Sequence, residues 1–97
     1  MKTINECIVL LRKFKRNYAE KYNIKRIGIF GSVARGEQTE NSDIDIYYES
    51  PPMGLSLSVQ FIEDLEKLFG SRVDIIRKHN NLKPYFLQHI EKEVIYA

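Results

Sequence analysis

The sequence predicts an α/β (α+β) chain, a small mixed β-sheet covered by helices. Three observations carry this. Apolar residues recur at steps of three and four in long stretches near both ends and in the middle. Short isoleucine-rich runs with a two-residue period lie between those stretches. The two kinds of segment alternate, in the order helix, strand, short helix, strand, helix, strand, helix. The 97 residues fit one compact domain, residues 1–97, without repeat, low-complexity tract or linker.

Ile4, Ile8, Leu11, Phe14 and Tyr18 form one helical stripe, and Thr3 with Glu6 makes a capping box, so a helix is expected over about residues 3–21. Residues 23–30, NIKRIGIF, read as an interior strand, with Ile27 and Ile29 on one face and Ile24, Gly28 and Phe30 on the other. Gly28 suits a close approach of backbone or helix. A short helix opens at Ser32 and stops at Gly36, and QTENS is a polar turn. Residues 43–48, DIDIYY, alternate strictly: Asp43, Asp45 and Tyr47 face one way, Ile44, Ile46 and Tyr48 the other. Two prolines make a loop from Glu49 to about Leu55. Ser58 is placed as the cap of the next helix, whose inner side is Val59, Ile62, Leu65, Leu68 and Phe69, with Phe61 able to join it; Gly70 ends it. RVDIIR, residues 72–77, is a third strand, KHNN a turn, and Pro84 opens a final helix with Leu87, Ile90 and Val94 inward. The link between the first two strands is short for a crossover, so the sheet is read as mixed and its order left open.

Lys and Arg total 15 against 13 acids, a net +2 that is too mild to argue for nucleic-acid binding. The run Arg12, Lys13, Lys15 and Arg16 reads as a phosphate-attracting face or as the solvated side of a helix. Cys7 is the single cysteine, which excludes a disulfide framework and a cysteine zinc site, and its apolar neighbours predict burial. No signal-peptide pattern is visible, and no apolar run approaches the roughly 18 residues of a membrane span. The expectation is a cytoplasmic protein without a membrane partner.

The chemistry lies between residues 30 and 48, FGSVARGEQTENSDIDIYY. Strand period puts Asp43 and Asp45 on one side, where two carboxylates repel unless a cation joins them. Oxygen ligands of this kind suit magnesium, with phosphate and water completing its shell; many solvated strands carry the same spacing. Gly31 and Ser32, at a strand-to-helix turn, offer backbone N–H groups and a hydroxyl to phosphate, or Ser32 is only a helix cap. Nothing here is a P-loop, for no lysine follows the glycines. Arg35 stabilises phosphate charge or holds Glu37 or Asp43 in a surface ion pair. Ser42 can act as a turn residue alone. Asp74 interrupts an apolar strand, either at an exposed edge or for chemistry. If its strand neighbours that of Asp43, three carboxylates converge, and two metal ions could bridge an attacking group and a nucleotide's phosphates.

Gly31-Ser32-x-Ala34-Arg35-Gly36 followed by Ser42-Asp43-Ile44-Asp45-Ile46 resembles the signature of the polymerase-β-type nucleotidyltransferases, and the length resembles their minimal nucleotidyltransferase group. LFGSRVDII resembles that group's third-carboxylate segment, and the likeness covers about Ile24 to Ile76. The resemblance implies that fold; Gly31 and Ser32 on the triphosphate of ATP; Asp43, Asp45 and Asp74 as the catalytic, magnesium-binding acids, with two ions; and Arg35 as a further member of the set. It also implies an antitoxin that transfers AMP from Mg-ATP to a tyrosine of a HEPN-domain toxin partner and releases pyrophosphate. The alternatives are an antitoxin that masks its toxin by binding alone, or transfer to a small hydroxyl compound, for which 97 residues leave little acceptor pocket. Direct nucleic-acid binding is not expected, and pairing with itself or a partner is left open. Tyr47, Arg72 and the loop around Met53 are candidates for the base pocket, and Tyr47 reads at least as well as a tyrosine that packs the sheet. His79 reads as a solvated turn residue or a phosphate contact.

Overall fold

The structure, a computed structural model, describes residues 2–97. Its first helix, α1 (Ile4–Tyr22), begins at the expected capping box: the Glu6 N–H donates to Thr3 Oγ1 at 3.2 Å and the Thr3 N–H donates to Glu6 Oε1 at 3.1 Å. The helix buries Cys7, Ile8, Leu11, Phe14 and Tyr22, while Arg12, Lys13 and Arg16 face solvent. The basic run is therefore the wet side of an amphipathic helix.

The remaining elements are β1 (Arg26–Phe30), α2 (Gly31–Ala34), β2 (Ile44–Glu49), α3 (Leu55–Phe69), β3 (Val73–Arg77), α4 (Pro84–Glu93) and β4 (Ile95–Tyr96). They form a four-stranded sheet in the order β3-β2-β1-β4. β1 runs antiparallel to β2 and to β4, and β2 parallel to β3, so the sheet is mixed as expected. The parallel pair is joined through α3, long enough to return the chain to the same end of the sheet.

One sheet face carries the core. Ile27, Ile29, Ile44, Ile46 and Tyr48 meet the apolar stripes of α1 and α3 there. Phe61 sits at its centre, with ring centroids 4.9 Å from Tyr22 and 4.8 Å from Tyr48. Burying such rings is the main source of stability for a chain this short.

Several boundaries differ from the sequence reading. α3 starts at Leu55, not Ser58, with Gly54 as N-cap, and its buried stripe is Phe61, Leu65 and Phe69. Val59 points outward, two residues out of phase with the i, i+4 series Leu57, Phe61, Leu65 and Phe69 that faces the core. Asp43 precedes β2 instead of opening it. The final helix stops at Glu93: Val94 is extended, and Ile95 and Tyr96 form a fourth strand on β1. Two residues give no periodicity to read, and Val94 fits a helical stripe equally well.

Gly28 is what admits β4. A Cβ on Gly28 would stand 2.7 Å from the Ile95 carbonyl oxygen and 2.8 Å from Val94 Cγ2. Backbone cannot yield there without the strand moving. Gly28→Ala should therefore cost about 1–3 kcal/mol in urea denaturation. It should also speed hydrogen exchange at the Ala97 amide, which donates to the Ile27 carbonyl at 2.9 Å. Unchanged exchange at Ala97 would count against this account of β4.

Candidate active site

Two strand registers meet at Asp45. In the antiparallel pair Phe30 lies opposite Asp45, and in the parallel pair Asp45 lies opposite Asp74. The turn leaving β1 is thereby brought to one acid, and the third predicted acid stands beside it on the next strand. The convergence expected of Asp45 and Asp74 is thus built by backbone pairing. Asp74 is exposed on the edge strand, whereas Asp45 is half-buried.

Gly31 is tied to Asp45 as well as to the turn. Its φ is +75°, a conformation that side chains resist, and a Cβ there would collide with the Asp45 carboxylate. The glycine lets the acid lie directly over the strand-to-helix turn. Ser32 is half-buried within α2, whose N-cap is Phe30 without any side-chain cap. Helix capping is therefore not the role of Ser32. Ser42 does act in the turn: its Oγ accepts from the Thr39 N–H at 2.9 Å.

Burial raises the Asp45 carboxyl above the ordinary carboxylate range, and the charges of Asp74, Asp43 and Glu93 push it the same way against the pull of Arg35. Burial and the neighbouring carboxylates thus disfavour the charged form of Asp45, a cost that a bound cation would remove. Asp43 is arranged differently. Its Oδ1 lies 3.3 Å from Arg72 Nε, so the acid just ahead of β2 pairs with the base just ahead of β3. Among the described residues no three Asp, Glu, His or Cys side chains are gathered closely enough to hold a metal ion as they stand. The donor set itself, carboxylates only, fits a hard cation such as magnesium.

Arg35 pairs with Glu37 at 2.8 Å, one of the partners expected for it, but not with Asp43. Its other partner is a residue that the sequence reading missed. Glu93, at the end of α4, accepts from Arg35 Nη1 at 2.9 Å and from the Gly31 N–H at 2.8 Å. Partial burial lifts the Glu93 carboxyl, but these two donors outweigh it and hold the group below its usual value. Nothing local in the chain marks this acid, which is more than fifty residues from its partners.

Tyr47 shares the acidic face but is fully buried, and among the described residues its hydroxyl has no hydrogen-bond partner. It packs the sheet and is not free to stack on a base. His79 Nδ1 accepts from the Asn81 N–H at 3.1 Å, an ordinary turn contact. A hollow of about 330 Å³ between α1, the residue 38–42 turn and the end of α3 contains none of the three acids. A groove lined by Ser42, Asp43 and Arg72 touches the site directly.

The sequence profile of the nucleotidyltransferase domain family matches residues 11–97. The chain belongs to this family. A Methanocaldococcus jannaschii relative, named as a candidate protein adenylyltransferase, is 46% identical over the full length of both chains. A Thermococcus cleftensis relative named protein adenylyltransferase MntA is 37% identical, across 100% of this chain and 98% of that one. Among solved structures, a candidate minimal nucleotidyltransferase superposes with a TM-score of 0.72 at 30% identity, covering 91% of this chain and 93% of the other. A toxin–antitoxin chain crystallised with AMP-PNP superposes at 0.71 over 91% of this chain and 69% of its own; at 22% identity that likeness is one of fold. The family and fold expected from the signature of this nucleotidyltransferase are borne out.

Two substitutions test the electrostatics. Because the folded chain holds Asp45 at a raised pKa, its ionised form opposes folding at neutral pH, and that opposition fades as pH falls through the raised value. Asp45→Asn should therefore raise Tm by a few degrees at neutral pH, with the gain shrinking in acid. Tyr47→Phe removes a buried hydroxyl that lacks a partner among the described residues, and should leave stability unchanged or raise it by up to about 1 kcal/mol. A substantial loss in chemical denaturation would show that Tyr47 has a polar role.

Proposed function

We propose that this nucleotidyltransferase transfers AMP from Mg-ATP to a tyrosine hydroxyl of a HEPN-type toxin partner and acts as its antitoxin. The observation that carries the reading is the meeting of Asp45 and Asp74 across β2 and β3 beside the Gly31-Ser32 turn. The full-length relatives named as adenylyltransferases support the same reading. So does a fold shared with an MNT antitoxin whose structure holds a tri-AMPylated HEPN toxin.

In this scheme Gly31 and Ser32 hold the triphosphate, and Arg35 balances its charge. Asp43, Asp45 and Asp74 would hold magnesium, in two ions, which supply charge neutralisation at the phosphates when bound. For Asp43 this means exchanging Arg72 for the cation. The acceptor oxygen forms a bond to the α-phosphorus while the bond from that phosphorus to the bridging oxygen of the β-phosphate breaks, releasing pyrophosphate. The proton of the acceptor hydroxyl passes to a carboxylate, and exposed Asp74 is the one open to an arriving partner. The chain's work is positioning and charge balance, without a covalent enzyme intermediate.

The decisive assay incubates the protein with α-labelled ATP, magnesium and a HEPN-domain toxin. Label should appear on the toxin and fall at least about a hundredfold when Asp43 and Asp45 are both replaced by Ala. A tight, inhibitory complex that never acquires label would replace this reading with neutralisation by binding alone.

A further inference from the structure

We propose that Glu93 is a built-in competitor for the triphosphate, occupying the phosphate cradle with its own carboxylate and so setting the enzyme's affinity for nucleotide. This rests on the reading of Gly31 and Ser32 as that cradle. Glu93 takes one N–H donor from the turn, at Gly31, and one from the guanidinium of Arg35, at 2.8 and 2.9 Å. A carboxylate with one oxygen on each donor engages the same pair that would face two oxygens of a phosphate. Triphosphate and Glu93 cannot both hold them.

The competition is designed into the fold rather than left to a wandering side chain. Glu93 is the last residue of α4, and immediately beyond it Ile95 and Tyr96 are pinned to β1 opposite Ile29 and Gly28. Its side chain is only 16% exposed. Glu93 also adds its charge to those of Asp43 and Asp74 around Asp45, so the carboxylate repels the triphosphate as well as displacing it. Binding must therefore break two charge-assisted hydrogen bonds and overcome one extra negative charge. Arg35 and Gly31 recover partners on the phosphate, while Glu93 recovers only water. The net penalty should be about tenfold in affinity.

Two replacements at Glu93 separate competition from mere support of the turn. Glu93→Gln keeps the shape and an acceptor for the Gly31 N–H but removes the charge, and Glu93→Ala removes both. Titration with AMP-PNP and magnesium, followed by the amide resonances of Gly31 and Ser32 in the ¹⁵N-labelled protein, reads affinity and fold together. Competition predicts binding about tenfold tighter in Glu93→Gln and at least as tight in Glu93→Ala. A supporting role predicts the reverse order, with Glu93→Gln near wild type and Glu93→Ala weaker. That order, or equal affinity in all three folded proteins, would overturn the proposal while leaving the cradle intact. If AMP-PNP shifts neither amide in any of the three, the cradle reading itself falls, and the proposal falls with it.

Discussion

A half-buried carboxylate pressed against a glycine is the constraint on which the rest of the site depends. Asp45 lies over Gly31 at one register and beside Asp74 at another, so a one-residue slip of either strand pair would dissolve the site. The slip is prevented on the opposite face, where Ile44, Ile46 and Tyr48 are locked into the apolar core. The acids are held in mutual repulsion by hydrophobic burial one pleat away. That is the usual exchange between stability and activity, with the opposing charge in place before any cation binds.

The two sheet faces divide the labour. The face under α1 and α3 is dry and aromatic, and supplies most of the burial. The other face carries the acidic end, and α4 buries Ile90 outside that core cluster. α4 also delivers Glu93 to the Gly31 turn. A short C-terminal segment thus links the sheet to the Gly31 turn: Gly28 admits β4, β4 follows directly on the end of α4, and that end carries the carboxylate that meets Gly31 and Arg35.

Much of this was legible in the chain, where local rules apply. The Thr3-Glu6 box, the stripe of α1, the alternation of residues 43–48 and the Pro84 start are each specified within a few residues. The start of α3 was read late because Ser58 is a good cap, whereas Gly54 caps with no side-chain bond at all. Strand period puts Tyr47 on the face of Asp45 but leaves base stacking and sheet packing both open there, and only the folded chain shows that it is buried.

The sequence by itself determined the type of every element but β4 and the core face of β1, β2 and β3, because strand and helix periods are properties of neighbouring residues. Tertiary structure alone decided strand order, the pairing of Asp43 with Arg72, the alignment of Asp45 with Asp74, and the arrival of Glu93 at Gly31 and Arg35. Each of those joins residues far apart in the chain, and side-chain period carries no information about which distant partner a face will meet.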